Sequence, residues 1–298
     1  MKKHIYFLII SFLFAIPMYA QENNSESTTA TEEQKTAVKK DKPVRTPWNS
    51  GLIMGGKTSI VPGKGTLRFE LVHLFGSINN GFSDLFGVYA DGANVRMGLS
   101  YVPVKNLQIG VGVTRFNITT DLNLKYTVLE QTRKNTMPVS VTLYGNMAFD
   151  GSDKEAFGTD YSFSHRMSYF SQLIVGRKFG KYVTVQASGS FSHFNSMPDG
   201  VNHDVIGIGA SAKIRVTSRI SIVSHNDFPL NIESISEYSE FETAKPNYQL
   251  GAEIITTSHA FQIYLSTSNF ILGQNVYARN QNELDSEGIR IGFLMTKL

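Results

Sequence analysis

The sequence predicts an all-β fold, a transmembrane antiparallel up-and-down β-barrel of about twelve strands behind an export signal. Three observations predict it. The chain opens like a secretory signal peptide, apolar and polar residues alternate with a period of two from Thr66 onward, and the intervals between the alternating stretches are short and long in turn. An even number of strands places both ends of the barrel domain on the same side of the membrane.

The first twenty residues carry the signal. Lys2 and Lys3 precede an apolar run over residues 5–16, and Ala20 supplies a small residue at the expected cleavage point. The alternative, a transmembrane anchor, needs roughly twenty consecutive apolar residues. Because the run is shorter, we expect residues 1–20 to be removed, which leaves 26 basic against 25 acidic residues.

Residues 21–46 are rich in Glu, Asn, Ser, Thr and Lys, and they predict a disordered periplasmic tail. The composition also excludes several classes of function. The chain contains no cysteine, which rules out disulfide frameworks and thiolate sites. The near-neutral charge and the absence of a basic stripe give no support to a nucleic-acid partner.

The period-two alternation divides the barrel domain, residues 47–298, into strands separated by turn residues. Proline supports this division, because we place five prolines between strands or at the first residue of a strand: Pro103, Pro138, Pro198, Pro229 and Pro246. The predicted strands are 66–75, 93–102, 107–116, 121–131, 138–149, 165–179, 182–193, 204–216, 219–227, 247–256, 260–269 and 288–297.

The two faces of these strands differ in chemistry. In residues 93–101, Val95, Met97 and Leu99 share an apolar face, whereas Arg96 and Ser100 lie on the other. A soluble β-sandwich or lipocalin-like barrel would alternate too, but its exposed face would carry many Lys and Glu residues. Here the polar faces are mostly Ser, Thr, Gln, Asn and Gly, which suit a confined lumen, and we expect the apolar faces to contact outer-membrane lipids.

The loop lengths predict the orientation. Connections at 103–106, 180–181, 217–218 and 257–259 are short, whereas 76–92, 150–164, 228–246 and 270–287 are long; the short connection 117–120 breaks the alternation. Outer-membrane barrels have short periplasmic turns, so we expect the N-terminal tail and the C-terminus in the periplasm. Aromatic residues near strand ends predict interfacial girdles: Tyr101, Phe179 and Phe261 at one rim, and Phe75, Phe191 and Tyr248 at the other.

Residues 51–58, Gly-Leu-Ile-Met-Gly-Gly-Lys-Thr, match the phosphate-binding P-loop pattern. A P-loop needs a helix N-terminus directly after the glycines to hold the anion. Pro62 and Gly63 follow within a few residues, so nucleotide binding is not expected. We interpret 47–65 as a Gly-rich entry segment folded into the barrel mouth, with Trp48 at the membrane interface.

The histidines show no metal-binding spacing, and we expect no cofactor, no metal and no catalytic site. Two short groups at the predicted outer rim, His203-Asp204 and His225-Asn226-Asp227, keep a rim hydrolase open as a third functional alternative.

Five stretches of the barrel domain carry a family resemblance: Leu-Val-His-Leu-Phe-Gly at 71–76, Asn-Val-Arg-Met-Gly-Leu-Ser-Tyr at 94–101, Pro-Val-Ser-Val-Thr-Leu-Tyr-Gly at 138–145, Arg-Lys-Phe at 177–179 and Ser-His-Ala-Phe-Gln at 258–262. They resemble an uncharacterised family of bacterial outer-membrane β-barrels catalogued as domain of unknown function 5777, and the resemblance covers the chain from Trp48 to the C-terminus. This sequence has Leu74 where the family pattern has a basic residue. The resemblance implies a Gram-negative outer-membrane barrel and supplies no activity or site residues.

Three functions remain open, of which the rim hydrolase is the third. The first is a narrow passive pore or transport-associated barrel for small solutes, in which an excess of basic lumen residues gives a weak anion preference. The second is a closed structural or binding barrel whose long outer loops contact a surface partner; opposite charges such as Arg68 and Glu70 would then pair across a packed interior, and a plug formed by 47–65 would favour it. The lumen-facing candidates are Arg68, Glu70, Arg96, Lys125, Lys178, Lys213, Arg215, Glu253 and Arg290.

Overall fold

The computed structural model describes residues 41–198, 201–232, 235 and 244–297. Within these residues, twelve strands form one closed antiparallel barrel in which each strand pairs with its neighbours along the chain and the last pairs with the first. A separate two-stranded hairpin precedes the barrel. The elements are β1 Leu52–Ile53, β2 Gly56–Lys57, β3 Leu67–Ser77, β4 Asn94–Val104, β5 Leu107–Thr114, β6 Thr119–Leu129, β7 Ser140–Phe149, β8 Met167–Phe179, β9 Val183–Phe194, β10 Asp204–Arg215, β11 Ile220–Leu230, β12 Asn247–Ile255, β13 His259–Ser266, α1 Gly273–Arg279 and β14 Arg290–Lys297. Four short 3-10 turns lie at Gly81–Asp84, Phe116–Ile118, Lys154–Phe157 and Phe163–Arg166.

The twelve predicted strands are confirmed, with every bound within three residues of the prediction. Two prolines that were expected outside strands lie inside them. Pro103 falls where the register between β4 and β5 shifts, and Pro229 lies beyond the last pair of β11 with β12, which is Asp227 with Asn247. Pro103 thus lies outside the regular ladder with β5, and Pro229 lies outside the ladder with β12 while it faces Gly207 of β10.

The predicted facing of the strands is confirmed. Met97, Leu99 and Val111 are exposed on the outer surface, whereas Arg96 and Ser100 are buried inside. The aromatic side chains predicted as girdles also lie on the outward positions of their strands near the two ends of the barrel. This distribution gives the barrel an apolar outer belt, as contact with hydrocarbon requires. Among the described residues, no helix is long and apolar enough to span a bilayer.

The two ends of the barrel differ. At one end, called here the turn end, the connections are short apart from residues 130–139, and both Leu67 and Lys297 lie there. At the other, the loop end, most connections are long, and the short one at residues 115–118 contains a 3-10 turn with Asn117 and Ile118 in the left-handed region.

The described part of the predicted tail, residues 41–46, is attached to the turn end. Val44 N donates to Gln131 O at 2.8 Å, and Arg133 N donates to Lys42 O at 2.9 Å. The Asp41 carboxylate accepts hydrogen bonds from the Thr136 hydroxyl at 2.6 Å and from Lys134 N at 3.0 Å, and these bonds, above all that from Thr136, lower the pKa of Asp41. Residues 41–46 are therefore ordered, contrary to the expectation, because backbone pairing satisfies their polar groups; residues 21–40 lie outside the described residues.

Candidate functional site: the plugged lumen

The P-loop-like residues 51–58 form a β-hairpin inside the barrel. β1 and β2 pair in a register that joins Leu52 with Lys57, and the two connecting residues, Met54 and Gly55, have φ values of 50° and 94°. Positive φ at both central positions is the geometry of a type I′ hairpin turn, for which Gly is favoured. The glycines of the motif thus serve a turn, and a hairpin has no helix N-terminus with which to hold a phosphate.

Two glutamines of the barrel wall hold the outer edges of this hairpin. Gln262 on β13 accepts from Met54 N at 2.7 Å and donates to Leu52 O at 3.3 Å. On the opposite edge, Gln186 on β9 accepts from Ser59 N at 3.0 Å and donates to Lys57 O at 2.7 Å. Each side-chain amide thus takes the place of a neighbouring peptide group. Because buried backbone groups must be hydrogen-bonded, these two side chains allow a free-standing hairpin to lie in a barrel.

Further polar contacts fix the segment that leads into the hairpin. The hydroxyls of Ser50 and Thr296 lie 2.9 Å apart, and the Lys125 ammonium donates to Gly51 O at 3.3 Å. Trp48 is 3% exposed, and its indole N–H donates to Ser59 Oγ at 3.2 Å. The expectation that Trp48 lies at the membrane interface is therefore wrong, because its ring is buried in the lumen and its polar atom has a partner there.

The tip of the hairpin is apolar and is buried against apolar wall residues. Leu52, Ile53 and Met54 are each at most 2% exposed. The wall residues of this cluster are Val72, Leu74, Val223, Tyr264 and Leu294, joined by Ile271 from the loop end. The lumen is thus not uniformly polar, and burial of this tip stabilises the hairpin in place.

Gly56 of the hairpin packs tightly against His225 of the wall. A Cβ atom at this position would lie 2.3 Å from Nε2 of His225 and under 3 Å from two further ring atoms. A glycine is therefore required here for packing.

A second segment enters the lumen from the loop end. In α1, Tyr277 is 1% exposed and its hydroxyl donates to Asp227 Oδ1 at 2.9 Å. Its ring stacks on Phe170 at 5.9 Å, and a Cβ at Gly207 would lie 2.2 Å from it. Gln274 Nε2 donates to Asn146 Oδ1 at 2.9 Å. The long connection predicted as an outer loop thus places seven helical residues inside the barrel.

The hairpin and α1 leave a small cavity between them. Its volume is about 40 Å³, enough for one to three water molecules. Residues of both segments line it, including Lys57 and Tyr277, together with Arg96, His225 and Asp227 of the wall. The two segments thus occupy most of the space at the centre of the barrel.

Three of the interior charges form a network centred on Arg96. Its guanidinium contacts Asp121 through two hydrogen bonds of 2.8 Å each, and Glu70 lies 3.8 Å away. Asn146 and Asn123 donate to Asp121 Oδ2 at 2.9 and 3.1 Å. A two-point guanidinium–carboxylate pair with further hydrogen bonds is the arrangement that a buried ion pair requires.

The nine predicted lumen residues fall into two groups. Six are buried inside the barrel: Arg68, Glu70, Arg96, Lys125, Lys213 and Glu253. The other three lie at the rims: Lys178 donates to Arg45 O at 2.7 Å, Arg215 to Ser218 O at 3.0 Å and Arg290 to Gly288 O at 2.6 Å. The suggested pair of Arg68 with Glu70 does not form, since Glu70 is oriented towards Arg96 instead.

Three interior side chains were not among the predicted lumen residues. Asp121 was placed at a strand start, and His225 and Asp227 were placed at the outer rim, yet all three are at most 5% exposed. The alternation of their strands could have located them, since each lies an even number of residues from other inward-facing positions of the same strand.

With the hairpin seated, the histidine groups offer no hydrolase site that a substrate could reach. Ser211 Oγ lies 2.8 Å from His225 Nδ1, and Asp227 Oδ1 lies 3.3 Å from His225 Nε2. This resembles a nucleophile–base–acid series, but Ser211 and His225 are buried and the hairpin covers the ring at Gly56. A nucleophile must reach its substrate. Asp204, the other predicted acid, contacts His193 at 2.7 Å.

A protein-family model agrees with this architecture. A family model described as a membrane-bound β-barrel domain, domain of unknown function 5777, matches residues 48–298. No curated protein matches the chain. Similar solved structures include a KdgM porin, with a TM-score of 0.47, 8% identity and coverage of 78% of this chain and 98% of that chain. Another is an outer-membrane channel of the COG4313 group from Pseudomonas putida F1, with a TM-score of 0.47, 11% identity and coverage of 80% and 96%.

Proposed function

Because the chain belongs to the family of membrane-bound β-barrel domains catalogued as domain of unknown function 5777, we propose that it is an outer-membrane barrel closed at rest, which admits small solutes when its N-terminal hairpin leaves the lumen. The observation that carries the proposal is the seating of residues 47–62 inside the barrel through side-chain hydrogen bonds from the wall. A plug held in this way closes the lumen and remains removable.

The route of withdrawal follows from the chain connectivity. The hairpin is joined to β3 at the turn end and continues towards the N-terminus at the same end, where residues 41–46 are attached. It can leave in that direction without passing through the barrel. We place the turn end in the periplasm, since outer-membrane barrels have their short turns there. A force or a partner acting on the N-terminal region from the periplasm would then open the barrel.

The charges of the barrel interior restrict the choice of solute. Four buried wall cations, Arg68, Arg96, Lys125 and Lys213, are matched by four buried carboxylates, Glu70, Asp121, Asp227 and Glu253. A balanced lumen favours small polar solutes over strongly charged ones. The weak anion preference expected from the sequence then depends on the rim cations Lys178, Arg215 and Arg290, whose effect salt should screen.

A closed structural or binding barrel is the second candidate. It is favoured by α1, because this second segment is tied to the barrel at both of its ends. The loop at residues 78–93 also presents Phe82, at 84% exposure, and Tyr89, at 81%, to solvent, as a surface that meets a partner would.

A disulfide lock distinguishes the two candidates. The natural chain has no cysteine, and the neighbouring hydroxyls of Ser50 and Thr296 allow the pair Ser50→Cys and Thr296→Cys to join the hairpin to β14. In planar bilayers, we expect the mature chain to show intermittent conductance, the oxidised pair to be silent, and reductant to restore the openings. The single variant Ser50→Cys is the control. Equal conductance of the double-cysteine variant in its oxidised and reduced forms would contradict gating by the hairpin. If no variant conducts, including one that lacks residues 41–62, the result would favour the closed barrel.

A further inference from the structure

A pocket of about 370 Å³ lies at the turn end, between the N-terminal segment and the barrel wall. The segment contributes two stretches, residues 43–49 and 59–63, and the wall contributes the inner positions of β3, β6 and β7. Its volume lies in the range of small-molecule sites. This pocket is separate from the 40 Å³ cavity between the hairpin and α1, with which it shares no lining residue.

Arg68 is the one arginine among the wall residues of this pocket, and it is 7% exposed. Its Nε and Nη1 atoms are buried without a hydrogen-bond partner, and within the described residues no carboxylate lies within 4.0 Å of it. Glu70, two residues along the same strand face, is oriented towards Arg96. A buried guanidinium that lacks a partner is unfavourable, and an anion in contact with it would relieve the cost.

The rest of the lining is half apolar and half polar. The apolar part comes from the N-terminal segment and includes Pro43, Val44, Pro47, Trp48, Ile60 and Pro62. One acid, Glu130, also lines the pocket, but it is paired with Lys105 at 2.7 Å. The pocket therefore offers one guanidinium that has no direct ion-pair or hydrogen-bond partner among the described residues, beside the apolar side chains of the N-terminal segment.

We infer that this pocket binds a small monocarboxylate whose short apolar body lies against the prolines and Trp48 while its carboxylate contacts Arg68. A carboxylate can accept two parallel hydrogen bonds from the fork of a guanidinium. A dianion is disfavoured, because Arg68 is the one cationic side chain that lines the pocket. A neutral or cationic ligand would leave Arg68 unpaired.

Trp48 supplies a specific reporter, since it is the only tryptophan of the chain and lines the pocket. In the mature, detergent-solubilised protein, hexanoate should change the Trp48 fluorescence in a saturable manner. Acetate, butyrate and hexanoate should bind with increasing affinity, by about two- to fourfold for each added methylene. Hexanamide, which has the same shape without the charge, should bind at least tenfold more weakly.

Variants test the role of the guanidinium. Arg68→Gln should abolish the difference between hexanoate and hexanamide, and Arg68→Lys should keep part of it. The matched control Arg219→Gln, at an exposed position of the same end, should keep all of it. Heat-modifiable gel mobility confirms that each variant is folded. Equal responses to hexanoate and hexanamide in the natural chain, or an unchanged preference in Arg68→Gln, would overturn the inference. Since binding is measured in the closed protein, its failure is distinct from a failure of hairpin gating in the bilayer experiment.

Discussion

The hydroxyl of Tyr277 donates a 2.9 Å hydrogen bond to the Oδ1 atom of Asp227, and the same oxygen lies 3.3 Å from His225 Nε2. Tyr277 belongs to α1, whereas His225 packs against Gly56 of the hairpin. One aspartate of β11 therefore connects the two segments that fill the lumen. A substitution in one segment should therefore alter the packing of the other through this carboxylate.

Tyr277→Phe tests that connection. It removes one hydrogen bond and leaves Asp227 with His225 and Asn247, so we expect a loss of about 1 kcal/mol in the free energy of unfolding. Openings in planar bilayers should also become more frequent. Urea titration of gel mobility measures the first effect. Tyr182→Phe, at an exposed tyrosine of the turn end, is the control and should change neither quantity. An equal change in the control would show that the effect is not specific to α1.

Gly56→Ala should prevent the hairpin from seating. The added methyl group would lie 2.3 Å from the His225 ring, so either the hairpin or the ring must move. We expect increased steady conductance with the barrel intact. Gly63→Ala is the matched control, because its Cβ would meet only Thr66 Oγ1 at 4.0 Å.

A second substitution completes the test at Gly56. Adding His225→Ala to Gly56→Ala makes room for the methyl group and should reduce the conductance again. Failure of the double variant to recover would mean that the closeness of Gly56 to His225 does not govern closure.

Val111→Arg should impair membrane insertion by about 2–4 kcal/mol, the cost of a cation on the lipid face near the bilayer midplane. Val111 is exposed on the outer surface of β5. Ser188→Arg, at an inner position of β9, should insert normally because it places no charge in lipid. Folding into vesicles, followed by heat-modifiable mobility, gives the comparison. The reverse ranking would contradict the assigned faces.

The barrel could be predicted from the sequence because each strand carries its own signal. Residues 93–101 read as a half-buried strand without reference to any other part of the chain, and the same holds for residues 107–116. The closure of the barrel then follows from the need to leave no strand edge in lipid.

The contents of the lumen could not be predicted in the same way. β1 and β2 are two residues each, too short for a periodic pattern, and their partners Gln186 and Gln262 are distant in sequence. The pairing of Arg96 with Asp121 likewise depends on how strands β4 to β6 align, which alternation alone leaves open. The anion preference was inferred from a count of charged lumen residues that lacked Asp121 and Asp227. With these two carboxylates included, the excess of basic over acidic groups in the interior is smaller.

Gln186 and Gln262 bind the hairpin through its peptide groups. These contacts depend on the positions of the backbone N–H and C=O groups and not on the side chains of the hairpin. Each glutamine contacts the carbonyl of one residue and the N–H of the residue two further on. A slip of one residue would turn the matching groups to the opposite edge of the strand. A one-residue shift would therefore break all four of these hydrogen bonds at once, so the two glutamines hold the seated hairpin cooperatively.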